Sequence, residues 1–222
     1  NYDFNYSNEK TTWDNKIILA YGLNNVKGNG TRKTDDRFEF NSLYGRKSKG
    51  NWSYSFFLNF KTQFSNGYNY KTTPKVKTSA FLSPGYLQIG PGILWKKSDN
   101  QKINIAPTTT KLIIVDKSLT LPYAAYFGVE EGKNTRFELG ASLGTYYKFD
   151  LMKNVSMENT LNLYLNYLED PQNVDLDYTM NLVMTVNKYI STTLAYQTIY
   201  DDNAFQGFQT RQVFGLGVNY NF

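Results

Sequence analysis

The chain has 222 residues and contains neither cysteine nor histidine. Without a thiolate or an imidazole it cannot build an ordinary zinc site, a Ser-His-Asp triad or a Cys-His pair. Outer-membrane lipases, deacylases, palmitoyltransferases and omptin-like proteases, which use a catalytic histidine, are excluded on the same ground. The missing cysteine also suits an envelope protein, which has no thiols to mispair in an oxidising compartment. An apolar run of about 20 residues, the length a transmembrane helix needs, is absent too. No secretory signal opens the sequence, and the expectation is a chain already processed or trimmed. No catalytic residue, cofactor or metal ligand is therefore expected.

What is abundant is aromatic: 19 Tyr, 15 Phe and 3 Trp. The mean hydropathy of -0.52 would allow a water-soluble protein. A barrel with a polar interior gives the same average, and barrels use aromatics as girdles at both membrane interfaces. The formal charge of +5 reads either as ordinary solubility or as a basic rim against anionic headgroups. The basic residues are dispersed along the sequence and do not interleave with aromatics, so nucleic acid is not an expected partner.

The chain ends with Phe214, Leu216, Val218, Tyr220 and Phe222 at every second position, separated by Gly215, Gly217, Asn219 and Asn221. Strict period 2 places one face of a strand in an apolar phase. In outer-membrane barrels the last strand carries this pattern, here read as the assembly signal. The same period recurs in Tyr54, Phe56, Leu58, Phe60; in Phe137, Leu139, Ala141, Leu143; in Leu161, Leu163, Leu165, Tyr167; and in Met180, Leu182, Met184, Val186. It predicts about eleven strands, over 1–8, 12–24, 35–46, 51–64, 79–95, 101–115, 135–149, 153–168, 174–187, 189–201 and 210–222. Their connections alternate short and long, with long loops at 25–34, 65–77, 116–134, 169–173 and 202–209. Short periplasmic turns and longer extracellular loops produce this alternation, so the last strand runs down to the periplasm.

The fold class is thus all-β: a transmembrane antiparallel up-and-down β-barrel, one domain over 1–222. Single-chain bacterial barrels have even strand numbers, so about twelve strands are expected in the complete protein, with one preceding Asn1. Both termini then face the periplasm. Trp13, Trp52 and Trp95 fall at the periplasmic interface as an aromatic girdle. Pro84, Pro91 and Pro107, with Gly85, Gly90 and Gly92, read as bulges or kinks inside strands.

Continuing the alternation predicts an inward charge network of Lys16, Arg37, Glu39, Lys61, Arg136, Glu138, Lys148, Glu158 and Arg211, with Gln63 among them. Both signs are interspersed, whereas a selective pore lines its constriction with one. Inward Leu43, Phe57, Tyr146 and Tyr164 add bulk, and the expected lumen is narrow or plugged. Acidic residues collect at the rim: Asp35 and Asp36, Asp175 and Asp177, Asp201 and Asp202. They read as a solvated rim or as carboxylates for a divalent cation; none has the spacing of a dedicated cation loop. The 116–134 loop carries Pro122, Tyr123, Tyr126 and Phe127, enough to fold inward as a cork or outward as a contact surface.

Several stretches resemble a family of Bacteroidota outer-membrane barrel proteins catalogued only as a domain of unknown function. They run from Trp13 to Lys16 and from Ala20 to Leu23, from Arg32 to Arg37, from Asn59 to Phe64 with Gly67 and Tyr68, and from Phe81 to Tyr86. Further stretches run from Phe127 to Glu130, Arg136 to Gly140, Asn166 to Asn173 and Ile199 to Asp202. The resemblance implies location and architecture, and further sequence before Asn1. It brings no catalytic residue.

Three functions follow as expectations. The first is a non-enzymatic accessory subunit of a larger outer-membrane assembly for envelope biogenesis, secretion or uptake. Its partners would be outer-membrane lipid and lipopolysaccharide, other outer-membrane proteins and, during insertion, the barrel-assembly machinery. The second is a passive channel or transporter for a small solute. The third is a rim enzyme using Asp35, Asp36, Asp201 or Asp202 with a bound cation.

Overall fold

Alternation of branched, aromatic and small polar residues favours strands over helices throughout this chain, and among its described residues the computed structural model has strands and one 3-10 turn as its regular elements. It describes residues 1–28, 30–120 and 125–218. The short strands β1 (Tyr2–Asp3) and β2 (Tyr6–Ser7) both pair with β3 (Thr11–Val26), which pairs with β4 (Gly30–Lys47). Next come β5 (Trp52–Thr62), a separate two-stranded hairpin of β6 (Gly67–Asn69) and β7 (Val76–Ser79), then β8 (Gly85–Ser98) and β9 (Gln101–Ile114). The chain continues through β10 (Thr135–Met152), β11 (Val155–Asn166), β12 (Val174–Thr185), β13 (Ile190–Asp201) and β14 (Phe205–Val218). Apart from the β6–β7 hairpin, neighbours in the sheet are neighbours in sequence, which makes an antiparallel meander. The all-β up-and-down architecture expected from the sequence is the one observed. The ten strands β3–β5 and β8–β14 have 11 to 18 residues each. That meets the length of about 9–11 residues a tilted strand needs to cross a bilayer.

Several boundaries differ from the expected ones, for physical reasons. The first strand is interrupted because Asn15 bonds Asn5 Oδ1 through its N–H and the Phe4 carbonyl through its side chain. The register nonetheless carries straight across, from Asp3 opposite Lys16 to Tyr6 opposite Trp13. The long loop expected at 25–34 shrinks, because β3 and β4 continue their ladder to Val26 and Gly30. Asp35 and Asp36 therefore lie inside β4, beside a bulge between Gly22 and Leu23. The loop expected at 65–77 contains β6 and the start of β7, whose hairpin runs on to Ser79. Pro84 precedes β8 instead of lying within it, while Pro91 and Pro107 do lie inside strands. The loop at 202–209 contracts because β14 begins at Phe205.

Much of the apolar surface is exposed. Among the described residues the exposed large hydrophobics number 34, and only seven hydrophobics are buried. Of the predicted rows Tyr54, Phe56, Phe137, Tyr167 and Val186 are exposed and the others half-buried; across the strands Leu161 stands opposite Tyr178, Met180 opposite Tyr196, and Leu194 opposite Phe214. Phe214, Leu216 and Val218 are 68%, 69% and 77% exposed, whereas Tyr220 and Phe222 lie outside the described residues. Trp13 pairs with Tyr6 and Tyr44, all exposed, next to the short Asn8–Lys10 connection. Trp52 is also exposed and opens β5, and Trp95 lies near the end of β8.

Contacts divide the chain into two compact units. The first comprises Asn1–Lys47, Ser55–Pro91 and Thr109–Leu139; the second comprises Ser48–Tyr54, Gly92–Thr108 and Gly140–Phe222. The first holds a small apolar core of Ile113, Val115, Leu119 and Val129, with Tyr86, Tyr126 and Phe127 packed against it. In the second, β10 and β11 approach so closely at Gly140 that a Cβ there would collide with the Leu165 carbonyl oxygen.

Candidate functional site

The most enclosed charged group among the described residues of the first unit is the Glu138 carboxylate on β10, only 1% exposed. Arg136, two residues earlier and so on the same face of the strand, places Nε 2.8 Å from Glu138 Oε1. Lys111 on β9, 3% exposed, places Nζ 3.5 Å from Oε2. A carboxylate between two cations satisfies the rule that charge withdrawn from water must be paired. Arg136 Nη1 also donates to the Gly128 carbonyl at 3.1 Å. Gly128 has φ +77°, and a Cβ there would sit 2.9 Å from Arg136 Nη1, so glycine suits the position twice over.

Sequence reasoning named Arg136 and Glu138 but missed Lys111. The burial pattern of β9 explains the omission. Asn104 and Ala106 are buried while Ile103, Ile105 and Pro107 are exposed; Thr108 is exposed as well, and burial resumes at Thr109, Lys111, Ile113 and Val115. The alternation changes phase at Pro107–Thr108, where a proline that cannot donate to the ladder makes such a break tolerable. That break was the only available signal for Lys111.

The same buried phase receives the long loop. Leu119 and Val129, from its two described arms, are 8% and 0% exposed against Ile113 and Val115. Phe127 meets Tyr126 and Tyr86 edge-on, at 4.7 and 6.5 Å between centroids. The Tyr126 hydroxyl donates to the Thr78 carbonyl, and burial raises its pKa. Asp116 accepts from the Ser118 N–H, the chief cause holding its carboxyl below the ordinary value, and its own N–H donates to Ser83 Oγ. Glu130 is held low by its bond with Lys133. The two arms pack inward against the buried face; Pro122 and Tyr123 lie outside the described residues.

Other predicted lumen residues take these places. Lys16 stands opposite Asn41, Arg37 opposite Ala20 and Glu39 opposite Ile18, and Asn41 donates to Glu39. Gln63 donates to the Ala80 carbonyl. Lys61 is half-buried on β5. In the second unit Lys148 stands directly opposite Glu158, and Arg211 opposite Gln197 on an exposed stretch of β14.

The predicted rim acids divide. Asp36 accepts from the Phe64 N–H, the Ser65 N–H, Ser65 Oγ and Lys33 Nζ, all at 2.8–2.9 Å, and thereby anchors the chain leaving β5. Asp177 accepts from Gln197. Asp175, Asp201 and Asp202 come together, with one oxygen from each within 4.8 Å of the others. Asn173 donates to Asp202, and the Asn203 and Ala204 N–H groups donate to Asp201. All three are half-buried, and neutral donors hold Asp201 and Asp202 in place.

Comparison with known proteins adds one match. Residues 1–68 match a family described as "Protein of unknown function (DUF3078)", over less than a third of the chain. No curated protein and no solved structure matches.

Proposed function

We propose that the chain is an integral outer-membrane β-barrel protein with both termini in the periplasm. It serves as a non-enzymatic accessory subunit of a larger envelope assembly, and its lumen is obstructed by paired charges and by the inward-packed loop. The observation that carries this reading is the inversion of surface chemistry. Large apolar side chains cover the exposed phase, while Lys111 and Glu138 are withdrawn from solvent on the other. A water-soluble sheet would hide the first set and expose the second. Mixed charges locked in pairs suit a filled interior better than a one-sign constriction. The apolar rows have the extent needed to meet lipid or a neighbouring barrel, and lipopolysaccharide, other outer-membrane proteins and the barrel-assembly machinery are the partners this implies.

The test is purification from native membranes in gentle detergent, with co-purifying proteins identified by mass spectrometry and conductance recorded in planar bilayers. A stoichiometric partner and a silent bilayer are expected. A lone monomer conducting steadily would replace this reading with a passive channel.

A further inference from the structure

A row of unneutralised cations and aromatic rings lies where the β6–β7 hairpin meets β4 in the first unit. Arg32 places its guanidinium carbon 5.0 Å from the centre of the Tyr70 ring. The Tyr70 and Tyr68 rings are 6.4 Å apart, and Lys75 Nζ lies 4.4 Å over Tyr68. The order is cation, ring, ring, cation. A ring face positions a cation without cancelling its charge. Among the described residues neither Arg32 nor Lys75 pairs with a carboxylate, and Arg32 Nε is buried with no acceptor. Residues 63–84 hold Lys71, Lys75 and Lys77 and no acidic residue. The nearby Asp36 is committed to Lys33 and to the backbone at Phe64 and Ser65. The hairpin is ordered by its own bonds, Lys71 N–H to Asn69 Oδ1 and Val76 N–H to Thr72 Oγ1.

We propose that Arg32, Tyr70, Tyr68 and Lys75 form a binding site for an anionic glycan, a sugar chain carrying phosphate or carboxylate groups. With two rings between its cations the row suits an extended polyanion better than a single small anion. The planar guanidinium matches phosphate or carboxylate oxygens two at a time through its Nη groups. Between the charges the tyrosines offer amphipathic surface for the apolar face of a sugar ring. The choice of a glycan rests on the outer-membrane reading above, because such a surface meets phosphorylated and acidic sugars. Single-stranded nucleic acid could stack on the same rings. The separation of cations from aromatics along the sequence had argued against that partner, but the fold brings the two together.

The test uses the purified full chain in detergent, titrated calorimetrically with phosphorylated, carboxylated and neutral oligosaccharides of equal length, and with a single-stranded oligonucleotide. At least one acidic sugar is expected to bind and the neutral one not to, with affinity falling as salt rises. Arg32→Ala with Lys75→Ala should weaken binding at least about tenfold, and Arg32→Lys, which keeps charge and loses the fork, should weaken it less. Heat-dependent gel mobility checks that each variant is folded. Equal binding by the neutral sugar, undiminished binding by the double variant or tighter binding of the oligonucleotide would overturn the proposal. Lipopolysaccharide and its delipidated sugar chain separate the two sources of the ligand: similar affinities assign recognition to the sugar, and binding of the lipidated form alone rejects it. Membrane fractionation reads location independently, so a folded protein that binds no sugar leaves the outer-membrane reading standing.

Discussion

The loops of the two units differ in the charge they carry. The first mixes signs and pairs them: Glu138 with Lys111 and Arg136, Asp36 with Lys33, and its surplus cations rest on tyrosine rings. The second gathers like charge at its loops. Residues 167–177 and 201–210 include Glu169, Asp170, Asp175, Asp177, Asp201 and Asp202 and no basic residue. Neutral amide and backbone N–H donors reach Asp201 and Asp202 at that acidic edge. The lesson concerns depth. Pairing is obligatory where water is excluded, while carboxylates that keep contact with water tolerate one another more cheaply.

Substitutions can break this contrast, and Glu138→Ala should have the largest effect. It strands Lys111 and Arg136 without their counter-charge, which costs about 3–5 kcal/mol, read as a lowered unfolding midpoint in detergent. A loss below about 1 kcal/mol would mean that water reaches the cluster. Asp36→Ala comes second: it removes the acceptor of four donors around the start of the β5–β6 connection, for about 2–3 kcal/mol in the same assay.

A pH effect should follow in the long loop. The carboxyl pKa values of Asp116 and Glu130 are lowered in the folded chain, so their contribution is complete above the ordinary carboxylate value and is lost as pH falls through the lowered one. Protection from hydrogen exchange, taken relative to intrinsic rates, should fall in residues 115–120 and 125–134 below about pH 4, and Asp116→Asn should remove much of that dependence. The smallest effect is expected at the acidic edge. Asp201→Asn keeps an oxygen to accept from Asn203 and Ala204 and relieves repulsion, so the midpoint should move by no more than about 0.5 kcal/mol, upward if at all. A large destabilisation there would erase the contrast between the two units.

Most of the strand framework was legible because β11, β12 and β13 keep an unbroken period 2, and cross-strand partners share a face. Short connections were legible because a turn such as Ser48–Asn51 interrupts two long alternating runs. Loops were read less well. The β3–β4 ladder runs past its bulge into polar sequence that carries no apolar phase, and the strands of the 67–79 hairpin are too short to show a period. The cluster around Glu138 was half visible, since counting by twos fails at Pro107–Thr108. The cation–tyrosine row was invisible because Arg32 comes from a distant part of the sequence and joins the hairpin only in space.

The exposed pair Pro107–Thr108 acts as a dislocation in β9. Residues before it are numbered in one frame and residues after it in the other, so a single strand presents two opposite parities to the same sheet. Deleting Thr108 would make the count uniform, with Asn104, Ala106, Thr109, Lys111 and Ile113 in one phase. The threonine is thus the spare residue of the strand: it takes up one position, so that the ammonium that answers Glu138 keeps to the side on which Asn104 and Ala106 are hidden.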